Sequence, residues 1–463
     1  MIPSRLICAG CGAEPALSEP YPFRCPSAGT DDGDHVLRRL LDLSRVHFPG
    51  DASAPNPFVR YRKLLHAYHV ATSGGMLDAD FRALVERLDG NVGAVDGRGF
   101  AVTPFARSAE LSVRLGFSGD GGVWVKDETG NVSGSHKARH LFGVLVYLEV
   151  LERLGRIDRA GRPDLAIASC GNAALAAAVI AAAGGRRLRV FVPVGADPLI
   201  LGRLDTLGAL VTVCPRQDGV PGDPTVRELE RALAEGALPF TCQGNLNGLA
   251  VEGGETLGWE LASTGVPIDR LVVQVGGGAL ASACVHAFRE ARALGAVASV
   301  PRVDTVQTEG AWPLKRAYDA LVSRGGAGAL AYAARHRHQF MRPWEREPHS
   351  IAHGILDDET YDWLVVVEGM LATGGTPLVV GEPVLAEANA LAREATGIAV
   401  DATGSAGLAG LIALREAGRV RDDERVALLF TGVDRSRTTH TKGARDEELP
   451  RARHPVAQGL RAG

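Results

Sequence analysis

Between residues 104 and 432 the chain repeats one local event. An apolar run short enough to be a strand stops at small or polar residues, and a helical pattern then begins. This happens after residues 123–126, 165–168 and 272–275, and a fourth such run, 426–430, ends on Thr431-Gly432. Strands alternating with helices in this way predict α/β layers around a mostly parallel sheet, with no internal repeat beneath them. In parallel sheets ligands sit beside the carboxyl ends of strands, so the residues just past each run are the candidates for chemistry. With 463 residues, 46% of them hydrophobic, the chain can fill two or three domain cores.

The first junction, residues 126–140, reads KDETGNVSGSHKARH and places Lys137 near the start of a long helix. A surface lysine on a helix usually has acidic neighbours at i±4, whereas Lys137 follows Ser133, Gly134, Ser135 and His136 and precedes Ala138. Small residues leave room for a ligand. The outward N–H groups and dipole of a helix start disfavour an added positive charge, which favours the neutral, nucleophilic amine that Schiff-base chemistry needs. A solvated lysine beside an ordinary helix cap is the alternative, and this window alone does not separate the two.

At the second junction the strand stops at Ser169-Cys170-Gly171-Asn172 and an alanine-rich helix follows over 173–183. Outward helical N–H groups make this an anion site that would suit a substrate carboxylate, although Asn172 could simply cap its helix. At the third, Gly276, Gly277, Gly278 and Ala279 precede a helix reaching about residue 293. Consecutive glycines let the backbone close round a phosphate. The dinucleotide spacing G-x-G-x-x-G is absent, since position 281 is Ala, so a lone phosphate monoester fits better.

Near the N-terminus Cys8 and Cys11 form a C-x2-C knuckle, with Cys25 and His35 further on. Three thiolates and an imidazole would make a tetrahedral zinc site able to hold a small segment. The second knuckle is incomplete, because Pro26, Ser27 and Ala28 follow Cys25, and a ribbon without metal is the alternative. This ribbon is expected to lie remote from the chemistry. Residues 48–57 read as a linker, 59–88 as helix interrupted at Gly74-Gly75, 252–261 as a helix opening with Glu255 in a structural role, and 323–350 as an irregular, Arg-rich, solvated face.

A net charge of −4 gives no reason to expect nucleic acid or an anionic membrane as partner, so the partner is a small molecule. The N-terminus has no apolar core of signal-peptide length, and the most apolar stretch, 165–185, is broken by Ser169, Gly171 and Asn172. A cytoplasmic protein is expected. The seven cysteines, an odd number scattered through apolar segments, read as reduced thiols.

Taken in order, SGSHK, SCGN, GGGAL and FTG resemble the motifs of fold type II pyridoxal-5′-phosphate (PLP) enzymes. That group holds threonine synthase, the serine and threonine ammonia-lyases and the tryptophan synthase β chain. The resemblance spans roughly residues 96–432. It implies two doubly wound parallel-sheet domains plus the small N-terminal ribbon, divided as 1–57 (ribbon and linker), 58–140 with 246–434 (large PLP domain), 141–245 (small domain) and 435–463 (flexible tail). A homodimer is the expected assembly. By the same resemblance Lys137 would hold the cofactor aldehyde, Asn172 would bond the ring hydroxyl, and Gly276, Gly277, Gly278 and Ala279 would bind its phosphate. Ser169, Gly171 and Ala173 would receive the substrate carboxylate, and Thr431 would face the pyridine nitrogen. A hydroxyl there leaves the ring neutral, which favours elimination over transamination. The implied activity is β-elimination from a small hydroxy-amino acid such as serine or threonine, with a threonine-synthase-like or β-replacement reaction as the alternative. Three departures stand out. His136 replaces the usual Phe and is similar to the tryptophan synthase β group, Ala173, Ala174 and Ala176 replace hydroxyl residues that hold a substrate phosphate in threonine synthases, and His353 stands where relatives often have an acid.

Overall fold

The structure is a computed structural model that describes residues 2–16, 18–49, 53–216 and 223–435. Two sheets carry the fold. The larger contains β3 (Phe105–Ser108), β4 (Gly122–Asp127), β9 (Arg270–Gln274), β10 (Arg302–Thr308), β11 (Pro377–Val380) and β12 (Arg425–Phe430), in the order β11-β10-β9-β12-β4-β3. All neighbours in it are parallel except the antiparallel edge strand β3. The smaller is fully parallel, ordered β7-β6-β5-β8 from β5 (Leu165–Ala168), β6 (Leu188–Pro193), β7 (Leu210–Cys214) and β8 (Leu238–Pro239). A hairpin of β1 (Ser4–Cys8) and β2 (Leu37–Leu41) precedes both. The α/β architecture, the two parallel sheets and the small N-terminal extension are therefore as expected.

Five helices matter for the site: α1 (Lys137–Arg153), α2 (Asn172–Ala183), α3 (Leu249–Ala262), α4 (Ala279–Ala293) and α5 (Ala402–Glu416). Residues 138–151 of α1 and all of α3 are buried, so these helices pass through the core and do not coat it. They cross closely because Gly143 faces Gly253; a Cβ on Gly143 would stand 3.0 Å from the Gly253 Cα. α3 begins before the expected start, which moves Glu255 from a first turn to the helix middle.

There Glu255 belongs to a buried charge cluster. Arg39 of β2 reaches Glu252 (3.1 Å), Glu255 and Glu290 (2.8 Å), three carboxylates round one guanidinium. Burial, opposed by the Arg39 charge, pushes Glu252 up to about 7 and Glu255 to about 8 from an ordinary 4.5. The folded chain thus holds protons that the unfolded chain sheds. The stability this contributes is full below about pH 4 and is lost as pH rises through the folded values near 7 and 8. Glu255→Gln removes part of that loss, so in thermal melts the variant's advantage over the parent should widen from pH 6 to pH 9. Parallel curves would rule this out.

Among the described residues no helix is long and apolar enough to cross a membrane. Of the tail expected from residue 435, only Arg435 lies within the described residues. It is half-buried against α2.

Candidate active site

Four strand ends converge on one cleft of about 290 Å³, lined among others by Lys137, Ser169, Gly171, Asn172, Ala173, Gly276, Gly277, Gly278, Ala279 and Thr431. The site residues read from separated motifs are therefore all brought together. β4 leads to the Lys137 loop, β5 to the SCGN turn, β9 to the glycines and β12 to Thr431. This is the position that parallel α/β sheets give to ligands.

Lys137 is the first residue of α1 and the only lysine of the cleft lining. It makes no hydrogen bond or ion pair among the described residues. The loop before it is tied to the end of β12. Ser135 bridges Gly432, and the His136 backbone N–H and ring Nδ1 lie 3.2 and 3.3 Å from the Thr431 carbonyl. Ser133 holds a left-handed backbone at φ 56°, the only non-glycine residue described that does so. Its N–H donates to Asp96 (2.8 Å) and its carbonyl accepts from Arg435 (2.6 Å). Burial first, and then the Lys137 charge, drives His136 far below the usual imidazole range and His140 down to about 3. Both rings flanking the lysine are thus neutral, and neither adds charge beside its amine.

Sequence reasoning missed Gln274, the last residue of β9. Its amide nitrogen faces three acceptors, the carbonyls of Gly404 (2.9 Å) and Leu429 (3.0 Å) and Thr431 Oγ1 (2.8 Å), which share its two N–H groups and fix the NH2 end. The hydroxyl is thereby an acceptor on its inner side, and its own proton remains available to an acceptor in the cleft. A polar residue within the otherwise apolar buried run 271–275 is the signal.

Asn172 does not cap its helix. It is the first residue of α2, whose cap position is Gly171, and no side chain caps the turn. Its Oδ1 accepts from Arg435 (2.5 Å), and it also bonds Asp401, whose carboxyl burial pushes up to about 6. Oxygen and nitrogen of the amide are thus told apart, which orients the group. The uncapped N–H groups of α2 stand over a floor of small side chains, with the Gly171 N–H 3.5 Å from Ser169 Oγ.

The glycine turn is packed too closely for side chains, and its uncapped helix start suits a phosphate. A Cβ on Gly276 would strike the Asp357 carboxylate and lie 2.9 Å from the Ile355 Cα, and one on Gly277 would lie 2.9 Å from the Tyr361 ring. Gly278 caps α4 at φ 95° with no side-chain bond, leaving the opening N–H groups for a ligand. Asp357 accepts from the Gly277 N–H, and burial raises its carboxyl, with Lys137 acting against that.

Cys8, Cys11, Cys25 and His35 also converge: their ligand atoms all lie within 4.8 Å of one another. Cys8 Sγ to His35 Nδ1 is 3.7 Å and Cys11 Sγ to Cys25 Sγ is 3.6 Å, close to the roughly 3.8 Å between ligands of a tetrahedral zinc with bonds of about 2.3 Å. His35 Nε2 meets Asp31 Oδ1 at 2.8 Å, the outer carboxylate that metal-bound histidines usually have. The donor set suits zinc. The ribbon is not remote, however. Arg337, expected on a solvated face, lies between its Asp34 (3.3 Å) and Glu359 (2.6 Å), the latter close in sequence to the cleft residue Tyr361.

Parallel sheets, a lone amine and a phosphate-sized glycine turn in one cleft define a PLP site, and comparison with known proteins agrees. A sequence model of the pyridoxal-phosphate dependent enzyme family matches residues 98–432. The chain belongs to that family, and its cofactor is PLP. It is 27% identical over 351 residues to the threonine synthase of Methanosarcina acetivorans, covering 71% of this chain and 74% of that one. Its fold is similar to the diaminopropionate ammonia lyase of Escherichia coli, with TM-score 0.57 and 16% identity over 84% of this chain and 93% of that one. It is also similar to threonine deaminase isoform 2 of Solanum lycopersicum, with TM-score 0.56 and 16% identity over 78% and 92% of the two chains.

Proposed function

We propose that this protein is a PLP-dependent lyase that eliminates the β-substituent of a small hydroxy-amino acid such as serine or threonine, releasing a keto acid and ammonia. The observation that carries the reading is Lys137, its amine without a partner among the described residues, in a cleft whose substrate-facing turn offers backbone donors and small side chains. Bound PLP supplies the electron sink for loss of the Cα proton. Lys137 Nζ would hold the cofactor, and its amine is the group that would take the Cα proton. Asn172 donates to the ring hydroxyl, Gly276, Gly277, Gly278 and Ala279 hold the phosphate, and Thr431 donates to the ring nitrogen. Ser169, Gly171 and Ala173 receive the substrate carboxylate.

A threonine-synthase-like or β-replacement reaction uses the same residues, and the name of the Methanosarcina relative favours it. Against it, Ala173, Ala174 and Ala176 provide no hydroxyl to grip a substrate phosphate. Assay of keto-acid release should give product from serine or threonine. No product from either, with turnover of a phosphorylated substrate, would sink the first reading in favour of the second.

The same proposal includes a structural zinc on Cys8, Cys11, Cys25 and His35. It also includes a cytoplasmic location, which seven cysteines with no disulfide among them support, and a homodimer.

A further inference from the structure

The loop that ends in the ligand His35 is fastened to the segments that hold the phosphate turn. Asp34, buried beside His35, accepts from the Trp363 indole N–H (3.0 Å) and pairs with Arg337 (3.3 Å). Its backbone N–H donates to Ala334 (2.7 Å), and the Asp32 carbonyl accepts from the Arg337 N–H (2.8 Å). Arg337 in turn grips Glu359 at 2.6 Å. Residues 32–34 thus pin both 334–338 and 359–363.

The second of those segments holds the glycines. Thr360 Oγ1 donates to the Gly276 carbonyl (2.9 Å), and the Asp362 backbone N–H donates to the Gly277 carbonyl (3.0 Å). A peptide unit is planar and trans, so a carbonyl fixed on one side turns the next N–H to the other. Holding Gly276 O turns the Gly277 N–H to the side where Asp357 accepts from it, and holding Gly277 O aims the Gly278 N–H, which opens the uncapped turn of α4. Thr360 and Asp362 also back Gly278, where an added Cβ would lie 2.8 Å from Thr360 Cγ2 and 3.3 Å from Asp362 Cβ.

Phe23 anchors the middle of the loop in the main core and its carbonyl accepts from the Gly248 N–H (2.9 Å), but round the knuckle itself the buried apolar members are Cys8, Cys25 and Leu37 alone, so a metal crosslink would add order there. We infer that metal at the knuckle, acting through Asp34 as a positioning residue, presets the phosphate turn and so tightens PLP binding. This rests on the zinc reading above and extends it from ribbon stability to the active site.

The test is titration of cofactor-depleted full-length protein with PLP and, in parallel, with pyridoxal, which lacks the phosphate. Metal content is measured on each sample. Chelation should remove zinc and weaken PLP about tenfold, the scale of one charge-assisted hydrogen bond, while pyridoxal changes little and zinc restores the parent value. Asp34→Asn should keep its zinc and weaken PLP to a similar extent, again sparing pyridoxal. That variant keeps the question answerable if chelated protein unfolds. Absence of metal from protein purified without chelator overturns the zinc reading and the metal step together. Unchanged PLP affinity in Asp34→Asn overturns the inference alone, as does an equal loss for PLP and pyridoxal, which would mark general loosening.

Discussion

Lys137→Ala should lose the visible absorbance that borohydride bleaches in the parent and should lower turnover by at least about a thousandfold. The expectation rests on the scarcity of amines in the cleft. Among the four described lysines, Lys63 is exposed, Lys126 is buried in an ion pair with Glu260, Lys315 pairs with Asp319 on the surface, and only Lys137 lines the cavity. Among the described residues its amine has no competing partner, and neutral His136 and His140 add no charge beside it. A small primary amine in the buffer should restore part of the turnover, because it can supply the missing base without the missing tether. Lys315→Ala should keep both absorbance and rate. If Lys137→Ala retains a bleachable band, another amine holds the cofactor and the roles drawn around this residue fail.

The contrast between Lys137 and Gln274 shows which parts of the site could be read in advance. Asn172, the glycines and Thr431 each follow an apolar run within a few residues, and Lys137 follows one at a distance of eleven, so strand end and cleft lining lie near each other in the chain. Gln274 acts on Thr431 across 157 positions, and Arg435 on Asn172 across 263, through side-chain geometry that no local pattern encodes. The long helices were legible for the same local reason. α4, for example, ends at Ala293 as its periodicity predicts. Short strands such as β8, two residues long, and β11 have no pattern to read and exist because a neighbouring strand offers them a ladder. The ribbon was misjudged differently. Its cysteines predicted the ligand cluster, but Asp34 and Asp32 look like ordinary loop acids until the fold lays them against Trp363 and Arg337.

The other large expected effect concerns what seats the lysine helix. Arg139, two residues after Lys137, is fully buried. It donates to Glu128 (2.8 and 2.9 Å), Glu260 (2.6 and 3.2 Å), Thr256 (3.0 Å) and Thr103 (3.2 Å). Lys126 closes the cluster on Glu260 at 2.5 Å, so two cations balance two carboxylates with almost no exposure to water. Burial disfavours the guanidinium charge, but the two carboxylates outweigh it and hold the arginine ionised. Arg139→Met leaves two buried carboxylates facing one ammonium and should destabilise the protein by about 3–5 kcal/mol, the usual cost of breaking a buried pair. Thermal melts should fall by roughly 10 °C, and cofactor occupancy should fall with them, because Lys137 shares the first turn of the same helix. Arg139→Lys should recover little, since an ammonium cannot reproduce a planar fork that serves two carboxylates and two hydroxyls. The double variant Arg139→Met with Glu128→Gln restores neutrality and should be more stable than Arg139→Met alone. If single and double variants melt together, lost packing and not unbalanced charge accounts for the effect, and the cluster is not what fixes the start of this helix.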